Sequence, residues 1–536
     1  MRGVKHSKRL SGWIGILTIW LLAIGLLTAL LYLSRDYGGT FDEDGQHVYG
    51  QKILKFFTSG FLDTEAETYR NLKYYGGSFD VAAAYLESLF PDIAVIDIRH
   101  LLNAFLGWVT IIFTGLGAAK VGGRLTGLLA AVLMVLSPFY FGQMMNNPKD
   151  IPFAAFASVA TFFVLGIKPS YPYFRWYQLL GLTLALALAL SVRIAGLVIM
   201  PSIGLYILCV WWRDRERSLL QLIGTGLGLA LTTVAASLVS TLTWPWAFRS
   251  PFVRTFEALT VFSHFNDWVG PVLFNGESIL SSKLPWYYVP MHYLYQAPVP
   301  VLVGAVIGID LLLWSMASTF SRQGSPDPRG NLLARWFLVL YITIPILYVV
   351  AMKSVLYDGI RHFLFIYHAM VILAALGIQA GYQAIKQPLL RRGYVAAAGL
   401  LLLEPLLFSI RNHPNETAYF NPLIGGSGGA FKQFEMDYWG NCVRGSLRWL
   451  AKKSAEQKHP VSVHLAWRQY AGYYEKIFPN LRLVVDQGAA DYAVTVMRAG
   501  PSDLERLSHL SDQVHVVAAD GAPLCIITKT PSVVGP

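Results

Sequence analysis

The chain has 536 residues, of which 54% are hydrophobic and only 14% charged, and its mean hydropathy is +0.45. Soluble domains carry about 25% charged residues, so too few charges are present to coat a globule of this size, and a purely soluble enzyme is excluded. The excess of 43 Lys and Arg over 32 Asp and Glu, a net +11, is scattered between apolar stretches, which argues against nucleic acid as a partner. Cys209, Cys442 and Cys525 match no metal spacing and make no disulfide framework. This is the composition of an integral membrane protein.

A run of about 20 apolar residues crosses a hydrocarbon core of roughly 30 Å. The first run, 12–33, follows Arg2, Lys5, Lys8 and Arg9. It is too long for a signal-peptide core and lacks a small-x-small cleavage site, so it reads as a retained helix. Further runs lie near 101–118, 125–142, 151–167, 178–191, 194–212, 219–243, 297–317, 333–351, 361–380 and 394–410. The expected fold is an α-helical polytopic membrane protein of about eleven spans. Basic residues fall in alternate connectors: Lys120 and Arg124, Lys168 and Arg175, Arg213 to Arg217, Arg322 and Arg329, then Lys386, Arg391 and Arg392. By the positive-inside rule these connectors and the N-terminus are cytoplasmic, and everything after Ile410 lies outside.

The expected division is a transmembrane domain over 1–410 and an extracytoplasmic α/β domain over 411–536. Within the first lie an acidic outer loop at 35–99 and an aromatic, proline-rich outer loop at 244–297. Strand patterns occur at 461–466, 481–485, 492–497 and 514–528, with helical stretches near 470–477 and 501–510. The composition of 321–331 (SRQGSPDPRGN) favours a flexible cytoplasmic turn.

Five polar features stand out against this background. Asp42, Glu43 and Asp44 adjoin in FDEDGQHVYG. Crowded carboxylates can hold one of their number basic enough to take a proton from a hydroxyl, though a solvated loop or an acidic helix start explains them too. NNPKDIP places Lys149 and Asp150 where the chain re-enters the membrane, as a helix cap or as part of the same outer cavity. Arg193 in SVRIAG and Arg361–His362 in YDGIRHFLF sit at outer membrane ends. The positive-inside rule disfavours cations there; they either snorkel or hold an anion, and a guanidinium fork suits a phosphate. KLPWYYVPMHYLY, at 283–295, is an interfacial aromatic belt, a sugar-stacking surface or a lipid entrance. The glycine-rich segment 413–440, ending in DYWG, matches no nucleotide fingerprint and reads as a lid or connector at the outer face. Its Asn415-Glu-Thr417 is a formal glycosylation acceptor.

Taken in order, FDED, NNPKDIPF, SVRIAGL, KLPWYYVP and YDGIRHFLF resemble the dolichyl-phosphate-mannose protein mannosyltransferase family, whose bacterial relatives include the aminoarabinose transferases that modify lipid A. The resemblance covers most of 12–380. It implies a glycosyltransferase C fold, with two amphipathic helices in the first outer loop and a cavity open to the non-cytoplasmic side. It implies a sugar donor on a polyprenyl phosphate and transfer with inversion. The presumed base maps onto Asp42, with Glu43 beside it and Asp150 as the second outer-loop acid. Arg361, with His362, Lys149 and Arg193, would then bind the lipid phosphate. No cofactor is required, and a divalent metal at the acidic cluster remains open.

Two departures shape this expectation. The 244–297 loop is too short for the lumenal β-trefoil domain of eukaryotic members, which favours a bacterial type in the cytoplasmic (inner) membrane with a periplasmic C-terminal domain. Trp211-Trp212-Arg213 is not the WWDYG signature of oligosaccharyltransferases, and DYWG at 437–440 is only superficially similar to it. The acceptor is open among lipid A, a glycan, a protein hydroxyl and a lipid. The competing readings are a lipid or sugar transporter without transfer chemistry, and a non-catalytic subunit that binds a partner through its outer domain. The absence of paired half-repeats argues against the former.

Overall fold

The computed structural model describes residues 2–167, 171–214, 218–263, 269–320, 331–457, 459–465, 471–498 and 512–530. The expected helix at 501–510 and the 321–330 part of the expected turn lie outside the described residues. The transmembrane part begins with α1 (Arg2–Leu33). The first outer loop follows, with its helices α2 (Phe41–Thr58) and α3 (Ser78–Leu89), then α4 (Val95–Gly122), α5 (Arg124–Val135), α6 (Pro138–Asn146), α7 (Asp150–Val164) and α8 (Trp176–Leu190). It continues through α9 (Ile199–Arg213), α10 (Leu219–Ser240), the short α11 (Pro245–Phe248), α12 (Pro251–Ser263), the hairpin β1 (Pro271–Phe274) and β2 (Glu277–Leu280), and α13 (Tyr288–Gln296). The helices α14 (Val299–Phe320), α15 (Asn331–Met352), α16 (Leu364–Ala384) and α17 (Pro388–Asn412) complete it.

Among the described residues, seven helices are long and apolar enough to cross a bilayer, or eight if the bent pair α5–α6 counts as one span. Three shorter apolar helices, α7, α8 and the first part of α14, join them, and every apolar run read from the sequence falls on one of these elements. The run at 125–142, expected unbroken, bends by 71° between α5 and α6. Ser137–Pro138 explains the break: proline has no N–H for the helical ladder and forces the preceding residue into extended backbone, here φ −108°, ψ 91°. The bend turns α6, with nearly every side chain buried, into the protein interior.

At the centre runs α16, the most buried of the seven long apolar helices among the described residues. Inside a bilayer, helices associate through close packing more than through apolar burial, which makes small residues valuable at crossings. Gly377 on α16 shows this: a Cβ there would lie 2.0 Å from the carbonyl oxygen of Gly304 on α14. The two amphipathic helices implied for the first outer loop are α2 and α3. They pack just as tightly, since a Cβ on Gly50 would lie 2.3 Å from the carbonyl oxygen of Asp80.

The C-terminal part is less separate than a boundary at 411 suggests. Helix α17 carries the chain to Asn412, and the segment after it packs on the transmembrane part: the Tyr37 hydroxyl donates to Glu416, and Asn146 donates to Asn441. Past the short α18 (Gly426–Ala430), the α/β unit begins with α19 (Cys442–Gln457). It continues with β3 (Val461–Leu465), α20 (Ala471–Ile477), β4 (Leu481–Val484), β5 (Tyr492–Val496), β6 (Gln513–Ala519) and β7 (Ala522–Lys529). The strand order is β4-β3-β5-β7-β6, parallel on either side of β3 and antiparallel on either side of β7. The pattern over 514–528 is thus a hairpin, turning at Asp520-Gly521, both with positive φ, as Asp-Gly turns favour. Cys442 and Cys525 form a disulfide from the start of α19 to β7.

Candidate active site

The site is assembled where the bent α6 hands the chain to α7. Asn147 closes that turn: its side-chain oxygen accepts the backbone N–H of Lys149 (3.3 Å) and of Asp150 (2.9 Å), starting α7 with Asp150 as its first residue. The Asp150 carboxylate is buried and receives Arg193 Nη2 at 2.5 Å, Asn147 Nδ2 at 3.0 Å and Arg361 Nη1 at 3.4 Å. The same Arg361 nitrogen stands 3.8 Å from Asp42 Oδ2, and Lys149 Nζ stands 3.9 Å from the same oxygen. Five sequence-expected residues, Asp42, Lys149, Asp150, Arg193 and Arg361, therefore meet in one cluster.

Exposure separates the two outer-loop acids. The Asp150 side chain is 2% exposed and held by Asn147 and two guanidinium groups, whereas Asp42 is 34% exposed. Asp42 is the carboxylate a substrate can reach, and Asp150 fixes the two guanidinium groups. Burial works against the charge of Asp42, but Lys149, Arg361 and Arg193 outweigh it and hold its carboxyl below the usual range.

Glu43, expected beside Asp42, is turned away. Successive residues on a helix point about 100° apart, so with Asp42 facing the cluster its neighbour faces the protein interior. There Glu43 accepts the backbone N–H (2.8 Å) and hydroxyl (3.1 Å) of Thr40 in a capping box and pairs with His100 at 3.2 Å. Its place is structural. Asp44 is exposed. His362 lies beside the cluster, its ring edge-on to Tyr357 at 4.9 Å, and lines a neighbouring cavity of about 150 Å³. That cavity is mostly apolar, lined by Leu259, Phe262 and Pro345 among others, together with Arg193 and Tyr75. Among the described residues no group of three or more His, Cys, Asp or Glu side chains converges as metal ligands do; the carboxylates here face cations.

Several members carried no signal in the sequence. Tyr75 lies under Lys149 (4.7 Å) and Arg193 (5.9 Å), while Tyr357 and Trp439 flank the Arg361 guanidinium at 4.9 and 5.0 Å. Trp439 comes from the DYWG segment, which does sit over the site. Its neighbour Tyr438 accepts from Gln143, whose own side-chain oxygen accepts from Asn147. The glycines at 425–429 have a packing role: a Cβ on Gly426 would lie 2.3 Å from an Asp520 carboxylate oxygen. On the far side of Arg361, Nη2 pairs with Asp358 (3.0 Å), Asp358 with Arg498 (2.7 Å), and Arg498 with Glu435 (2.8 Å). Burial raises the carboxyl of Asp358 despite Arg361 and Arg498, and pushes that of Glu435 up to about 7 despite Arg498.

Residues 70–251 match the family model of the dolichyl-phosphate-mannose-protein mannosyltransferases. That segment holds Tyr75, Lys149, Asp150 and Arg193; Asp42 and Arg361 flank it. The resemblance drawn from the ordered motifs is borne out there. No curated protein matches the chain in sequence. Among solved structures, it is similar to ArnT from Cupriavidus metallidurans bound to undecaprenyl phosphate, at 14% identity and TM-score 0.44, over 98% of this chain and 99% of that one. The apo state of ArnT gives 15% identity and TM-score 0.45 over 98% and 100%. The oligosaccharyltransferase AglB from Archaeoglobus fulgidus, in complex with an inhibitory peptide and a dolichol-phosphate, gives 11% identity and TM-score 0.44 over 96% and 75%.

Proposed function

We propose that the chain is a membrane glycosyltransferase of the glycosyltransferase C type, which moves a sugar from a polyprenyl-phosphate donor to an acceptor hydroxyl or phosphate with inversion. The observation that carries this reading is the meeting of one accessible carboxylate, Asp42, with three cations, Lys149, Arg193 and Arg361, beside an apolar cavity. The cavity suits an isoprenoid chain, and the guanidinium groups suit the phosphate at its end. For a hydroxyl acceptor, Asp42 takes the proton. The acceptor oxygen forms its bond to the anomeric carbon on the face opposite the phosphate, and the carbon–oxygen bond to phosphate breaks. Its electron pair leaves on the phosphate oxygen, where Arg361, Arg193 and Lys149 stabilise the charge.

Two independent features support a direction of insertion. Basic connectors alternate with the outer loops, and the Cys442–Cys525 disulfide belongs to an oxidising compartment. Both favour a cytoplasmic N-terminus and a non-cytoplasmic C-terminal domain, and the short 244–297 loop favours a bacterial inner membrane with that domain in the periplasm. The acceptor remains open among lipid A, a glycan, a protein and a lipid. The test is incubation of the purified protein in lipid nanodiscs with a radiolabelled polyprenyl-phosphate sugar and a membrane extract. Release of polyprenyl phosphate together with labelled acceptor supports the reading; translocation of intact donor without cleavage overturns it in favour of a transporter.

A further inference from the structure

We propose that Arg498, on the C-terminal domain, is a positioning residue for the phosphate-binding arginine: by neutralising Asp358 and Glu435 it leaves the charge of Arg361 free for the donor. The inference rests on the donor reading above. It starts from a count of charges. The cluster holds four cations, Lys149, Arg193, Arg361 and Arg498, and four carboxylates, Asp42, Asp150, Asp358 and Glu435. As formal charges they balance, and Arg498 is the cation that shares Asp358 with Arg361.

Geometry makes the link specific. Asp358 lies between two guanidinium groups, 3.0 Å from Arg361 and 2.7 Å from Arg498. Asp358 and Gly359 both have positive φ, 56° and 64°, an unusual backbone that aims the carboxylate between the two arginines. If Arg498 is removed, Asp358 has Arg361 as its one remaining cationic partner in this chain of pairs, while Glu435, whose carboxyl burial already pushes up to about 7, loses the cation that favours its charge and takes up a proton. Asp358 then draws on Arg361 alone, so an incoming phosphate is bound less well. The strand end that carries Arg498 also holds the lid: its carbonyl accepts the Met436 N–H at 3.3 Å, three residues before Trp439, which covers Arg361. The C-terminal domain thus reaches the donor site through one cation and one ring.

The experiment is equilibrium binding of undecaprenyl phosphate to the full-length protein in nanodiscs. It compares the unaltered chain with Arg498→Ala, Arg361→Ala, the double variant and Glu435→Gln, each checked for an intact disulfide and monodispersity. Arg498→Ala is expected to weaken binding by about tenfold, equivalent to about 1.4 kcal/mol. Because Arg498 acts through Arg361, adding Arg498→Ala to Arg361→Ala should weaken binding less than about twofold further. Glu435→Gln should leave binding unchanged or tighten it, because it removes a negative charge while keeping a partner for Arg498; a purely structural bridge predicts loss in both variants. Unchanged binding by Arg498→Ala, additive losses in the double variant, or weakened binding by Glu435→Gln each overturns the proposal. If the unaltered chain fails to bind undecaprenyl phosphate, the donor reading itself falls, and this inference with it.

Discussion

Replacing Asp42 with Asn keeps the shape of the side chain and removes its ability to accept a proton. A positioned general base contributes typically about 10²–10⁴ in rate, so kcat should fall by at least about a hundredfold. Donor binding should hold or tighten, because Arg361 and Lys149, 3.8 and 3.9 Å away, lose a competing anion. The pH profile carries a sharper signature. In the free protein the three cations hold Asp42 below the usual carboxylate range. As a base it works deprotonated, so kcat/KM should stay level on acidification into the usual carboxylate range and fall only below it. When the donor phosphate sits among those cations it offsets their charge, while the burial that raises the Asp42 pKa persists. The acid limb of kcat should therefore lie at higher pH than that of kcat/KM, and Asp42→Asn should abolish it. The assay is initial-rate transfer from a radiolabelled polyprenyl-phosphate sugar between pH 3.5 and 8. Turnover by Asp42→Asn above a tenth of the unaltered rate, or an unmoved acid limb in that variant, would refute the base assignment.

Arg361→Lys keeps a positive charge but loses the planar fork that bridges Asp42, Asp150 and Asp358; polyprenyl-phosphate Kd should rise by about tenfold, measured in nanodiscs. The carboxyl of Glu435, pushed up to about 7 when folded, starts from about 4.3 when unfolded. Its proton-linked stabilisation is complete below about pH 4.3 and is lost as pH rises through 7. Tm should therefore decline across that interval, and Glu435→Gln should flatten the decline; an identical slope in both proteins counts against it. Replacing Cys442 and Cys525 with Ser removes the tie between α19 and β7. The expected cost is about 2–5 kcal/mol, read as a lower unfolding temperature of the outer domain, with weakened donor binding because Trp439 lies three residues before Cys442.

How much of this was legible beforehand depended on the range over which each signal acts. Apolar runs are local and must span the membrane, so composition and the periodic connectors were enough to place the helices. Even the break at Ser137–Pro138 could have been read from proline chemistry. The ordered motifs also named five residues that converge, since charges that cost energy near a membrane are few and conspicuous. Glu43 shows where adjacency misleads: one residue along a helix exchanges the cluster for the capping of Thr40 and a pairing with His100. Tyr75 and Trp439 are ordinary aromatic residues in a chain rich in them, and Arg498 is one cation among many.

The sequence by itself determined that this chain spans a membrane, where its helices lie, and which scarce carboxylates and guanidinium groups could do chemistry there. Only the tertiary structure decided which of them share a pocket, that Asp42 is the accessible acid, and that the C-terminal domain grips Arg361 through Asp358 and Trp439. The physical reason is that membrane insertion is governed by the summed hydropathy of contiguous residues, whereas an ion pair is governed by distances of a few ångströms between residues as far apart in the chain as 42 and 361, or 358 and 498.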